Sequence, residues 1–205
     1  MSRIIGGTGR GRRLRTVAGN STRPTGARVR QSLFDLLAPA IPGCRFLDAF
    51  AGSGGIGLEA LSRGAAKVVL VDRHAPAVEA ARENARALAR GGGEVQVFRQ
   101  DALTAMRALA DQGMRFDVVF LDPPYASHLY EPLLTLLAES PLLAAGGVVV
   151  MEHFHKRPLP GTIGALVRTR ERRVGDHRLS FYSRAGEGQT QPGGAAIGGD
   201  EGDAE

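Results

Sequence analysis

The residues best suited to chemistry lie at 116–125, FDVVFLDPPY. The apolar run Val118-Val119-Phe120-Leu121 has the length and β-branched character of a strand buried on both faces, and Asp122 closes it. Ligands of open α/β sheets bind just outside the carboxyl ends of the strands, so this acid stands where a ligand would. Pro123 and Pro124 fix φ and remove two N–H groups, which leaves the carbonyls of the turn short of local donors. Asp122 and a free Pro123 carbonyl would then be two rigid acceptors, with the flat face of Tyr125 beside them. Such a set suits a planar group carrying an NH2. One N–H goes to Asp122, the other to Pro123, and the ring stacks on Tyr125. The plainer alternative is a strand end with a stiff turn and a capping acid; a glycine loop upstream weighs against it.

That loop is in residues 45–57, RFLDAFAGSGGIG. A strand ends in Asp48 and runs into Gly52-x-Gly54-x-x-Gly57, with a helix over about 56–63. Glycines let the backbone turn sharply and approach a ligand closely, while helix N–H groups face an anion. A second strand, 67–71, ends in Asp72, 20 residues beyond Gly52, where an acid can hold ribose hydroxyls. This spacing serves a nicotinamide dinucleotide as well as S-adenosylmethionine. The acids separate the two. A strand over 94–99 delivers Asp101, so four successive strands end in acids, counting Asp48, Asp72 and Asp122. Together they can line a neutral-to-cationic ligand such as a sulfonium, and a pyrophosphate would fare badly there. Each acid has the alternative of being a helix N-cap, Asp101 above all.

The elements that must position these groups follow a βα repeat. Residues 1–24 carry Arg3, Arg10, Arg12, Arg13, Arg15 and Arg23 among glycines and read as a small β-hairpin or a loose arm. Arginines without counter-acids repel one another unless phosphates neutralise them, which suggests nucleic-acid contact. A helix follows, with Val29, Leu33, Leu36 and Leu37 at i, i+4, i+7, i+8 and with Arg28, Arg30 and Gln31 elsewhere on the wheel. It ends at Pro39 and Pro42-Gly43 and would bring Thr25 and Arg28 towards the cofactor mouth. Further helices are marked by Val78, Ala81, Ala85 and Leu88, by Leu103, Met106 and Leu109, and by Leu133, Leu136 and Leu137. A fifth strand covers 148–152, and 165–173 with 179–183 alternate like a hairpin turning at Gly175-Asp176. The expected fold is α/β, a doubly wound and mostly parallel sheet ending in an antiparallel hairpin.

Composition narrows the partners. The chain of 205 residues holds 26 Lys+Arg against 21 Asp+Glu. Residues 1–30 have eight arginines and no acid, whereas 186–205 have five acids and no base. Without that tail the domain is near +10, which points to a polyanion. The tail is Gly-rich and non-periodic, and disorder is expected there. One cysteine, Cys44, rules out a disulfide framework, fits a reducing cytosol and reads as a small buried hydrophobe. No signal peptide and no apolar run near the ~20 residues of a membrane helix is visible. His153 and His155 flank Phe154, but no Cys or carboxylate cluster matches them, so no metal is expected. His128, three residues past Tyr125, reads as an exposed residue at a helix N-terminus, with contact to the substrate as the alternative.

The segments RIIGGTGRGRRL, RPTGARVRQSLFDLL, FLDAFAGSGGIGLEALSRGA, FLDPPY, VVVMEH and GDHRLSFYSR lie between about residues 3 and 184. In them the chain resembles the bacterial 16S ribosomal RNA guanine-N2 methyltransferases, class I enzymes using S-adenosylmethionine. The resemblance implies a Rossmann-like, seven-stranded sheet of order 3-2-1-4-5-7-6 over residues 25–184, between the basic arm (1–24) and the tail (185–205). It implies a cofactor site in which Asp48 and the Gly52–Gly57 turn hold the methionine part, Asp72 the ribose, and Asp101 with Ala102 the adenine. Phe50, Ser53, Arg73, Thr25 and Arg28 complete that set. Asp122, Pro123, Pro124 and Tyr125 would hold a guanine amine in a hairpin loop of partly assembled small subunits. A monomeric cytoplasmic enzyme is implied. Two positions depart from the family pattern: Gln31 stands where glutamate is expected and Asp35 where asparagine is usual. Three alternatives stay open at this point: a DNA adenine or cytosine methyltransferase, a release-factor glutamine methyltransferase, and a non-catalytic RNA-binding assembly factor. Residues 45–184 leave little room for the insert with which DNA enzymes read sequence.

Overall fold

A computed structural model describes residues 2–17, 26–88 and 92–186. Its centre is built from apolar runs too short for helices and too continuous for a one-sided sheet. Five strands run parallel: β3 (Arg45–Asp48), β4 (Lys67–Asp72), β5 (Glu94–Arg99), β6 (Phe116–Leu121) and β7 (Leu143–Phe154). Three more, β8 (Thr162–Ile163), β9 (Leu166–Val174) and β10 (His177–Arg184), add antiparallel pairings. The order is β5-β4-β3-β6-β7-β10-β9-β8. Without β8 this is the order implied by the resemblance; with it the sheet has, among the described residues, eight strands rather than seven. The extra pair, Thr162↔Val167 and Ile163↔Leu166, has no alternating pattern from which to be read. β7 also starts five residues before the predicted 148, because Leu143 pairs with Phe116 across an irregular register that the Gly146-Gly147 signal hides.

Alternation sends Phe46, Val68, Leu70, Val118, Phe120 and Val150 to one face, under α1 (Ala27–Leu37), α2 (Gly57–Ser62) and α3 (Ala75–Leu88). Leu47, Val69, Val71, Val119, Leu121 and Met151 go to the other, under α4 (Ala102–Asp111) and α5 (Tyr130–Glu139). Side chains of this size, fully buried, stabilise by about 1.5–3 kcal/mol each before entropy is counted. The sheet thus presents its parallel strand ends as a rigid rim. Cys44 is buried, as its apolar setting suggests, and burial pushes its thiol up to about 12.

The basic amino-terminal segment is a hairpin and not a loose arm. β1 (Ser2–Arg3) pairs antiparallel with β2 (Arg13–Leu14), and Ile4 and Leu14 enter the core. Glu59, fully buried in α2, accepts the Ile5 and Gly6 amides at 2.7 Å each and pairs with Arg63 at 2.8 Å. Gly7, at φ 73°, lies so close that a Cβ would sit 1.7 Å from the Ser62 carbonyl oxygen, so only glycine fits. Helix α1 buries Val29, Leu33, Phe34 and Leu37. It buries Arg30 too, which the helical wheel set away from the apolar face, because the hairpin crosses there and Arg30 Nη2 donates to the Arg3 carbonyl at 2.6 Å. Predicted Arg23 and Thr25 and the acidic tail from 187 onward lie outside the described residues. Among the described residues no helix is long and apolar enough to cross a membrane.

Candidate active site

Strands β3, β6 and β7 are neighbours, with Asp48 level with Phe120 and Leu121 level with Met151. A period of two therefore brings Asp48, Asp122 and Glu152 out on the α1 side of the sheet, at its carboxyl rim. Asp48 is 1 % exposed. Its Oδ2 accepts the Gly57 amide at 3.0 Å, while Oδ1 is buried without a hydrogen-bond partner. Burial pushes this carboxyl up to about 7 against the Gly57 and Phe50 amides, with the Asp72 and Glu152 charges adding to the rise. Half-buried Asp122 also lies well above the usual carboxylate range, first through burial and then through Glu152 and Asp48. Three acids crowded on one rim favour a cation or an N–H donor between them.

The turn after β6 is tied from several sides. The Pro124 carbonyl accepts the Ser127 amide at 2.8 Å. The Pro123 carbonyl, expected to be free, faces the buried Tyr130 hydroxyl at a long 3.4 Å, so one of its two lone pairs is weakly engaged. Burial pushes the Tyr130 phenol up to about 12, which keeps it a donor. Arg157 donates from Nη1 to the Tyr125 and Ser127 carbonyls at 3.1 Å each and lies over the Tyr130 ring at 4.3 Å. Tyr125 itself is 42 % exposed, with its ring 6.4 Å from that of Phe154 and its hydroxyl 2.9 Å from His177 Nδ1.

On the glycine side, Gly52 and Gly54 adopt φ 54° and 86°, conformations closed to most side chains. A Cβ on Gly57 would stand 2.3 Å from Leu70 Cδ2, so this glycine lets α2 approach the sheet. Asp72 bridges the loop by accepting the Gly52 amide on Oδ2 and the His74 amide on Oδ1, both at 2.8 Å. Ser53 offers its carbonyl to Asn84 Nδ2 at 2.9 Å. Phe50 is half-buried against the α4–α5 core, and Ala102 is buried in it. Asp101 caps α4 through Thr104, the alternative that its position allowed. Arg73 and Arg28 are exposed, Arg73 Nε lying 3.3 Å from His74 Nε2.

Arg3, Arg10, Arg12, Arg13 and Arg15 are all exposed on the hairpin. Arg15 is not without a counter-acid, since it pairs with Glu83 of α3. Its backbone is also clasped by Asn84, which accepts its amide at 2.8 Å and donates to its carbonyl at 3.0 Å. The same Asn84 reaches Ser53, so the hairpin and the glycine loop share one side chain. His128 is exposed. His153 is buried against Ser180 at 2.8 Å and held below its ordinary value by burial, whereas His155 meets the Asp176 carbonyl at 3.1 Å. The two do not converge, and no group of three metal-ligating side chains forms among the described residues.

Glu152, His177, Arg157 and Asn84 join the site only in the folded structure. Glu152 carried a readable signal, being one more acid at a strand end. It is 1 % exposed, with Oε1 2.6 Å from His177 Nδ1 and Oε2 buried without a hydrogen-bond partner. His177 lies in the GDHRLSFYSR segment that carries the resemblance, though with no role attached to it, and Arg157 and Asn84 carried no signal.

A family model described as conserved hypothetical protein 95 matches residues 2–183. The Bacillus subtilis protein YlbH is 42% identical over 184 residues, covering 90% of this chain and 100% of the relative. The Escherichia coli K12 ribosomal RNA small subunit methyltransferase D is 36% identical over 188 residues, 92% of each chain. The solved structure of Escherichia coli yhhF superposes with a TM-score of 0.76 at 33% identity, covering 89% of this chain and 97% of that one.

Proposed function

The chain belongs to the conserved hypothetical protein 95 family, and on that premise we propose that it methylates the exocyclic N2 amine of a guanine in 16S ribosomal RNA, using S-adenosylmethionine. The observation that carries the reading is the acceptor pair, Asp122 and the Pro123 carbonyl, set beside the exposed ring of Tyr125 at the rim of β6. The partner is the small-subunit RNA, in a partly assembled particle, and the enzyme works as a cytoplasmic monomer.

The cofactor suits the residues present. Asp48 keeps one buried oxygen without a hydrogen-bond partner, a place for an ammonium N–H, and the positive-φ glycines leave no Cβ between backbone and ligand. When bound, S-adenosylmethionine supplies a methyl group on a cationic sulfur. Asp48 and the turn from Gly52 to Gly57 hold its methionine end, and Asp72 keeps lone pairs for ribose hydroxyls beyond the two amides it accepts. Asp101 and Ala102 border the adenine, with Phe50, Ser53, Arg73 and Arg28 around them.

A base amine is a poor nucleophile because its lone pair is delocalised into the ring. Two acceptors on its N–H groups, Asp122 and the Pro123 carbonyl, favour a pyramidal nitrogen whose lone pair points out of the ring plane. Tyr125 supports the base by stacking, and placement with preorganised acceptors supplies most of the catalysis. A cation beside Asp48 and Asp122 favours their ionised forms. Asp122 is then a carboxylate with a raised proton affinity, suited to take the proton that the methylated amine sheds. The base must leave its stack, which a hairpin loop makes cheap. The exposed hairpin arginines meet the phosphates around it.

The test is methyl transfer from labelled cofactor to undermodified small subunits and to deproteinised 16S RNA, with the product base mapped by mass spectrometry. Label on N2 of guanine is expected. Label on adenine, cytosine or a protein glutamine, or no transfer to either substrate, overturns the reading.

A further inference from the structure

We infer that His177 is a positioning residue for this reaction: it latches the Tyr125 hydroxyl to the buried Glu152 and so fixes the ring on which the base stacks. The inference rests on the reading of Tyr125 as the stacking ring. His177 opens β10 opposite Phe154, and Leu179 stands opposite Glu152. Cross-strand partners share a face, so His177 and Glu152 emerge together on the α1 side of the sheet, beside the turn that carries Tyr125. The imidazole Nδ1 is 2.6 Å from Glu152 Oε1 and 2.9 Å from the Tyr125 hydroxyl, so its single N–H is a three-centre donor shared between the carboxylate and the hydroxyl oxygen. The ring edge of His177 also meets the Tyr125 ring, with centroids 5.9 Å apart at 64°.

Two features distinguish this latch from an ordinary core pair. Glu152 is 1 % exposed, and a buried carboxylate needs an N–H donor; His177 stands in position to supply it. Tyr125, by contrast, is 42 % exposed on a turn whose prolines fix the backbone but not the side-chain torsions. A link from the Tyr125 hydroxyl through His177 to the buried carboxylate restrains those torsions before the base arrives, and preorganisation of this kind strengthens binding. The antiparallel hairpin, remote in sequence from both motifs, thereby contributes a side chain to the site.

The experiment compares wild type with His177→Ala, His177→Asn, Tyr125→Phe and the Tyr125→Phe/His177→Ala double variant. Each is measured for kcat and KM on small subunits, cofactor affinity by calorimetry, and melting temperature. His177→Ala should raise KM for the particle roughly tenfold, the scale of one lost hydrogen bond to a charged group, with cofactor affinity unchanged. His177→Asn puts an amide N–H near the position of Nδ1 and should recover most of that loss. On the Tyr125→Phe background, where the hydroxyl link is already gone, His177→Ala should cost less than about twofold more.

Additive losses in the double variant, or cofactor affinity falling in step with KM, would show a merely structural pair and overturn the inference. If His177→Ala does not fold, wild-type KM in both Tyr125→Phe and His177→Asn overturns it equally, and raised KM in Tyr125→Phe with recovery in His177→Asn supports it. A wild-type protein that methylates no guanine refutes the function itself, and the latch falls with it.

Discussion

Replacing Asp48 by asparagine should stabilise the cofactor-free protein at pH 8 and leave it nearly unchanged at pH 4. The Asp48 carboxyl moves from 3.8 to about 7 on folding, chiefly by burial. Between those limits the native protein holds a proton that the unfolded chain has shed, so wild-type stability falls as pH rises. Three pH units at ~1.4 kcal/mol each give a loss of about 4 kcal/mol, complete by pH 8. Asparagine does not titrate. Its side-chain oxygen can still accept the Gly57 amide, while its NH2 occupies the place of the buried Oδ1, at a cost of about 1–3 kcal/mol if that group finds no partner. A protonated Asp48 carries a similar unpaired group at pH 4, so the two proteins should match there within about 1 kcal/mol. At pH 8, where the wild type has lost about 4 kcal/mol and the variant nothing by titration, the variant should lead by about 3–5 kcal/mol. Urea unfolding of both proteins between pH 4 and 8.5, without cofactor, gives the difference directly. A difference independent of pH, or one that grows as pH falls, would refute the assignment of the raised carboxyl to Asp48. The same substitution should weaken S-adenosylmethionine binding by about 1–3 kcal/mol, the scale of a lost charge-assisted hydrogen bond, so stability and binding move in opposite directions.

Asp122→Ala should lower methyl transfer at least ~10-fold while cofactor affinity stays within a few-fold, since Asp122 is assigned to the amine; turnover near wild type would remove that role. Glu59→Ala strands the Ile5 and Gly6 amides and the Arg63 guanidinium, and it should cost about 3–5 kcal/mol or release the hairpin. Faster tryptic cleavage at Arg10, Arg12 and Arg13 would report release, whereas unchanged cleavage and melting would contradict the docking. Converting Arg10, Arg12 and Arg13 to glutamine should make the slope of log affinity for small subunits against log salt shallower by about 0.7–0.9 for each phosphate no longer neutralised. Arg15 is left in place because it pairs with Glu83 and its backbone is joined through Asn84 to the glycine loop. An unchanged slope would make the hairpin a folding element that does not touch RNA.

Local sequence carried the parallel core. Unbroken apolar runs ending in acids, with glycines or prolines next, are legible because a strand buried on both faces and its carboxyl-end turn are short-range features. For that reason Asp48, Gly52, Gly54, Asp72 and Asp122 could be placed at strand ends without coordinates, and the family resemblance supplied the substrate class. What local pattern could not carry were contacts closed by the fold between distant segments. Glu59 reads as an ordinary helical acid until the hairpin lays two amides on it, and Arg30 as a surface cation until the same hairpin covers it. The two-residue β8 has too few positions to show a period. Asn84 lies 31 residues from Ser53 and 69 from Arg15, and His177 lies 25 from Glu152 and 52 from Tyr125. A helical or strand period relates residues only within one element. The sequence by itself therefore determined which strand ends carry acids and which turns must be glycine or proline. Only the tertiary structure, by bringing β10 beside β7 and the hairpin onto α2 and α3, decided which side chains hold those turns in place.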